Sequence, residues 1–147
     1  MPNSLTVREA DAEAMERIAA LLAANDLPHR GLDESPGTFV AGYADGVLVA
    51  AGGVEPYDAD AVLRSVVVAE AHRSAGFGTA LYDELERVAA AGSAETVYLL
   101  TTTASAFFRE RGFETTSRAD APPAVRGSTL FAERCPASAT CMQKEIA

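Results

Sequence analysis

Two cysteines, a single lysine and no long apolar run are found in these 147 residues, and each scarcity excludes a class of protein. Cys135 and Cys141 are too few for a disulfide scaffold, and His29 and His72 lie too far away in sequence to complete a zinc set with them. They read as reduced thiols, with a local pair that binds a soft metalloid as the alternative; no resident metal is expected. No stretch approaches the roughly 20 apolar residues of a spanning helix, and the first residues show no charged-then-apolar signal pattern. A soluble, cytoplasmic protein with no membrane partner is the expectation. The net charge is -9 and Lys144 is the sole lysine, which argues against nucleic acid as a partner, because phosphate backbones are gripped by clustered Lys and Arg.

What is present fits one domain over 1–147, long enough to bury about two-thirds of its unfolded surface. Residues 5–8 read as a first strand. Asp11 stands where an N-cap belongs, ahead of a helix whose Met15, Ile18, Leu21 and Leu22 share one face and which Asn25 and Pro28 close. The segment 28–36 is loop-like, with a charge mix suited to a mobile lid. Residues 38–44 and 47–55 flank Asp45-Gly46, a tight-hairpin signal. A turn around Asp58 and Asp60 leads into 62–68, whose valines indicate a strand buried on both faces. Residues 79–91 carry Leu81, Leu85, Val88 and Ala89 at helical spacing, and 96–101 form a strand reached by a crossover. Thr103 is placed to cap a short helix ending before Gly112, and 113–117 return as a strand. Pro122-Pro123 favours another helix with Val125, Leu130 and Phe131 on its apolar side, and 138–146 form the last strand. The sum is a mixed α/β domain.

Within that order, residues 63–81 form an apolar strand, an Arg/Gly-rich turn and a helix. Glycines in such a turn let the backbone come close to a ligand, and the N–H groups that open the helix point at an anion without intrahelical acceptors. That combination suits a pyrophosphate. Arg73-x-x-Gly76-x-Gly78 lacks the Gly-Lys-Ser/Thr ending of a P-loop and is one glycine short of the dinucleotide fingerprint, so neither nucleotide motif fits well.

The chain resembles the GNAT superfamily of acyl-CoA-dependent N-acetyltransferases over nearly its whole length. Arg73-Ser74-Ala75-Gly76-Phe77-Gly78 is similar to the family's Arg/Gln-x-x-Gly-x-Gly/Ala pyrophosphate loop after a Val-rich strand. Phe107-Phe108-Arg109-Glu110-Arg111-Gly112-Phe113 resembles its aromatic helix ending in Gly-Phe. A helix and a strand separate the two, as the family requires. The resemblance implies a GNAT fold, with a mostly antiparallel central sheet, parallel fourth and fifth strands that splay apart, and flanking helices. It also implies acetyl-CoA as co-substrate, entering where 62–68 and 96–101 diverge. Backbone groups of Val66, Val67 and Val68 would pair with the pantetheine arm, and a nearby N–H would polarise the thioester carbonyl. Arg73, Ser74, Ala75, Gly76, Phe77, Gly78 and Thr79 would hold the pyrophosphate.

Val54-Glu55-Pro56-Tyr57, Leu63-Arg64-Ser65-Val66, Leu99 to Thr103 and Cys135 to Met142 further resemble arsenic-resistance (ArsN-like) N-acetyltransferases. That implies a small amine carrying an acidic group as substrate, of the arsinothricin or phosphinothricin type.

Acetylating an amine needs a neutral nucleophile, so a base must take a proton from the substrate ammonium. Glu55 is the first candidate, because a carboxylate is out of keeping with the apolar strand it ends; the competing reading is a surface Glu at a strand end. Arg64 likewise interrupts a buried strand and needs a partner, either Glu55 or the substrate's carboxylate or arsinate. Arg126 is a second candidate for that grip, Tyr57 and Thr101 are candidates for lining the acceptor pocket, and Ser65 for holding a bridging water in the catalytic step. Many family members carry a tyrosine that protonates the departing thiolate where this chain has Phe108. Water, Tyr57, Tyr82 or Tyr98 are the stand-ins, and a thiol pKa near 8.5 makes a strong acid dispensable. Two other functions stay open: acetylation of a protein N-terminus or lysine, and a non-catalytic acyl-CoA sensor. Relatives often form a homodimer, but no stripe here identifies an interface.

Overall fold

Strand-forming stretches rich in Val and Ala alternate with amphipathic helices along the chain, and the strands join one seven-stranded sheet. A computed structural model describes residues 5–27, 29, 32, 37–69, 76–102, 104–128, 131 and 139–147. The strands are β1 (Thr6–Glu9), β2 (Thr38–Ala44), β3 (Val47–Tyr57), β4 (Asp60–Val68), β5 (Thr96–Thr101), β6 (Glu114–Thr116) and β7 (Thr140–Glu145), in the order β1-β2-β3-β4-β5-β7-β6. The helices are α1 (Ala12–Ala24), α2 (Phe77–Ala91), α3 (Ser105–Glu110) and α4 (Pro123–Arg126), with a 3-10 turn at Arg118–Asp120. The β1/β2, β2/β3, β5/β7 and β6/β7 pairs are antiparallel, while β4 and β5 are parallel. This is the expected mixed α/β class. The parallel ladder covers Asp60 to Val62 against Thr96 to Tyr98, and both strands run on beyond it.

Local chemistry explains most boundaries. The Asp11 carboxylate accepts from the Ala14 N–H at 2.8 Å, which makes it the N-cap of α1, and Asn25 stands at the C-cap. Asp45 and Gly46 both have positive φ, 52° and 78°, as a tight turn matched to strand twist requires. β3 continues to Tyr57, so Glu55 lies inside a strand rather than at its end. Other expectations shift. β1 sits one residue later, and α2 begins two residues earlier, at Phe77. α4 is a single turn closed at Gly127 instead of reaching Phe131. Leu130 and Thr103 lie outside the described residues; at the start of α3 the N-cap position is Ala104, without a side-chain cap.

Contacts group the chain into two compact units, Met1–Glu55 with Ser65–Val88, and Pro56–Arg64 with Ala89–Ala147. In the first, Ala14, Ile18 and Leu22 of α1 pack with Leu32, Phe39, Ala41, Ala51 and Val67. A smaller cluster joins Ala44, Val49 and Phe77 to Leu5, Val68 and Ala69. In the second unit, Val62, Tyr98, Ala121, Val125, Phe131 and Cys141 form the core, with Tyr57 and Leu100 against it. Among the described residues no helix is long and apolar enough to cross a membrane.

Candidate active site

The start of α2 is built for close approach. Gly76 has φ +79°, and a Cβ there would meet nothing within 4 Å among the described residues, so there is open space at this one position. The Ala80 N–H donates to the Gly76 carbonyl at 3.4 Å, so Phe77, Gly78 and Thr79 form the first turn, at the positive end of the helix dipole. Phe77 is buried with Ala44, Val49 and Val68, and thereby ties the helix start to the end of β4. The Ala69 N–H donates to the Val49 carbonyl at 2.7 Å and fixes the chain where β4 ends. A helix start preceded by a glycine with open space around it suits an anionic group such as a pyrophosphate, and the described residues fit that group. Arg73, Ser74, Ala75, Cys135 and most of the 28–36 segment lie outside the described residues.

β4 departs from regular strand at Ser65, whose φ is 56°. A non-glycine residue there costs about 1–2 kcal/mol, so the surrounding structure imposes it. After it, Val67 is buried against α1, while Val66 and Val68 are half-buried. Sequence alone gave no sign of this, since serine carries no αL preference of the kind Gly or Asn would announce.

Glu55, Arg64 and Ser128 are the buried polar side chains among the described residues, at 2%, 4% and 4% exposure. The surface-carboxylate alternative for Glu55 therefore fails. Both Glu55 and Arg64 engage partners, as buried charges must. Ser128 is accounted for by structure: its hydroxyl donates to the Val125 carbonyl at 2.6 Å and accepts from the Phe131 N–H at 3.4 Å.

Arg64 follows Val62 by two positions on β4, which puts it on the strand face that carries the Tyr98, Val125 and Phe131 core. Tyr57 is half-buried against the same core. Thr101 accepts from the Ala104 N–H at 3.0 Å and so shapes the β5–α3 connection. Arg126 is exposed on α4. Phe108 is buried, edge-on to Phe107 and Phe113 at 5.2 and 5.5 Å, a core position without a proton to give. Tyr82 is also buried, and its hydroxyl donates to Glu86 at 2.6 Å. Burial, then Asp60, Cys141 and Glu145, pushes the Tyr98 phenol above its ordinary 10.0.

The mixed sheet, its parallel β4/β5 pair and the helix that follows β4 agree with the fold expected from the sequence. Residues 6–113 match the acetyltransferase (GNAT) family, and the chain belongs to that family. Among curated proteins none matches it significantly in sequence. Several solved structures share the fold. N-acetylglutamate synthase from Neisseria gonorrhoeae, complexed with coenzyme A and N-acetyl-glutamate, is 21% identical with a TM-score of 0.81 over 98% of this chain. This chain covers only 35% of that protein. Rv2747 from Mycobacterium tuberculosis, in complex with CoA and the ligand NLQ, is 20% identical with a TM-score of 0.83, over 97% of this chain and 99% of that one. Ard1 from Thermoplasma volcanium is 20% identical with a TM-score of 0.72, over 97% of this chain and 98% of that one. At these identities the likeness is one of fold.

Proposed function

We propose that this enzyme transfers the acetyl group of acetyl-CoA directly to the amine of a small, amino-acid-like substrate bearing an acidic group, arsinothricin and phosphinothricin included. The observation that carries the reading is Glu55, a carboxyl group only 2% exposed inside β3. A carboxyl group held out of solvent can take up the proton of a substrate ammonium, and a general base of this kind contributes about 10²- to 10⁴-fold. Amides of Gly76 to Thr79, with Arg73, hold the pyrophosphate; backbone groups of Val66 to Val68 orient the acyl arm, and Ser65 holds a water between base and amine. Acetyl-CoA supplies the activated acyl group when bound. Arg64, with Arg126, meets the acidic group of the acceptor, and Tyr57 and Thr101 line its site. Since Phe108 has no hydroxyl, water or one of Tyr57, Tyr82 and Tyr98 protonates the leaving sulfur. The relative bound to CoA and N-acetyl-glutamate supports both the donor and an amino-acid acceptor.

The test is release of free CoA thiol from acetyl-CoA over a panel of amino acids, arsinothricin, phosphinothricin and short peptides. Turnover with the acid-bearing small amines supports the proposal. Turnover with peptides alone would assign the enzyme to protein acetylation, and binding without thiol release over the whole panel would make it a sensor.

A further inference from the structure

The chain enters β2 through Gly37, and there it passes so close to β3 that no side chain fits. A Cβ at this position would collide with the Val54 carbonyl oxygen and lie 2.8 Å from its carbon and 3.0 Å from the Glu55 Cα. All three atoms belong to the backbone of the strand that carries Glu55, so none can swing aside. The contrast with β3's own glycines is direct: a Cβ at Gly52 or Gly53 would meet the side chains of Leu85 or Phe39. Thr38 pairs with Val54 and Phe39 with Gly53, so Gly37 stands at the next register position, opposite Glu55. Gly37 is not among the residues of positive φ, so the close approach, and not the backbone conformation, demands glycine.

We propose that Gly37 is a positioning residue for acetyl transfer: its missing side chain lets the entry to β2 lie against the Val54–Glu55 peptide and thereby sets where the Glu55 carboxylate stands. This rests on the reading of Glu55 as the base. A base works only within hydrogen-bond reach of its proton, and a misplacement of about 1 Å costs on the order of 10²-fold in rate. A Cβ forced against the Val54 carbonyl displaces the strand at the residue where the chemistry is least tolerant.

The experiment measures kcat, the acetyl-CoA KM and unfolding midpoints for Gly37→Ala, Glu55→Gln, the double variant, and Gly46→Ala. The last is a control, because Gly46 has φ +78° with open space around it and is strained by a side chain at the far end of the same hairpin. Gly37→Ala is expected to lower kcat about tenfold or more with the acetyl-CoA KM held within about twofold, and to add nothing once Glu55 is Gln. Gly46→Ala is expected to lose stability and keep its kcat. Should Gly37→Ala not fold, one glycine inserted before Thr38 slackens the same contact without adding a side chain, and is expected to lower kcat likewise. An unchanged kcat in the folded Gly37 or insertion variant, beside an impaired Glu55→Gln, overturns the positioning role. So do losses that multiply in the double variant. A full rate in Glu55→Gln instead removes the base itself, and the proposal with it.

Discussion

Leu85 of α2 sits directly on Gly52 of β3: a Cβ at Gly52 would meet Leu85 Cδ1 at 2.8 Å and Cδ2 at 3.1 Å. Leu85 is fully buried, so its side chain has no solvent to retreat into. The helix that opens with Phe77 is therefore seated at a depth that a glycine sets. Gly52→Val should lower stability by about 1–3 kcal/mol through overpacking. Combining Gly52→Ala with Leu85→Ala should cost less than the sum of the two single changes, because each relieves the other. Denaturant unfolding of the four proteins measures this, and simple additivity would argue against the contact.

Asp11 closes the start of α1 through one charge-assisted bond to the Ala14 N–H. Asp11→Ala should cost about 0.5–2 kcal/mol and Asp11→Asn far less, since asparagine caps as well. Thermal unfolding distinguishes them.

Two buried acids, Cys141 and Tyr98, make stability sensitive to alkaline pH. Burial raises the Cys141 thiol above its ordinary 9.0, with Arg118 opposing, and raises the Tyr98 phenol above 10.0. A group whose folded pKa is raised contributes stability that is complete below its unfolded value and is lost as pH climbs through the folded one. Unfolding midpoints should stay level up to about pH 9 and then fall, with Tyr98→Phe flattening the part above about pH 10. Asp60 is raised as well, by burial first and then by Asp58 and Glu95, so acidification removes no stability through that carboxyl.

Arg73→Ala should raise the acetyl-CoA KM several-fold while leaving kcat near its original value, because the proposed cradle assigns most of the pyrophosphate grip to backbone amides. An unchanged KM would take Arg73 out of the cradle.

Much of the fold was legible because its signals are local. Asp11 caps where an N-cap was expected, Asp45-Gly46 turns the β2–β3 hairpin, and β5 spans the expected residues 96–101. What escaped was set by tertiary contact. Nothing in residues 113–117 or 138–146 announces that β7 lies between β5 and β6, since that order depends on pairing distant in sequence. Pro122-Pro123 marks a helix start but not its length, and the helix closes after one turn at Gly127. For the site, the apolar run before Glu55 pointed to a carboxyl group out of place, and the structure buries it. The left-handed Ser65 and the bare approach of Gly37 to Val54 left no trace in residue type, because serine has no strong αL preference and a glycine before a strand reads as an ordinary turn.

The most direct measurement is the mass of acid-bearing amino acids, arsinothricin and phosphinothricin after incubation with acetyl-CoA and the enzyme. The account predicts a gain of one acetyl group on the amine of at least one of them, lost when Glu55 is replaced by Gln. Acceptors unchanged throughout, while the protein demonstrably binds acetyl-CoA, would contradict it.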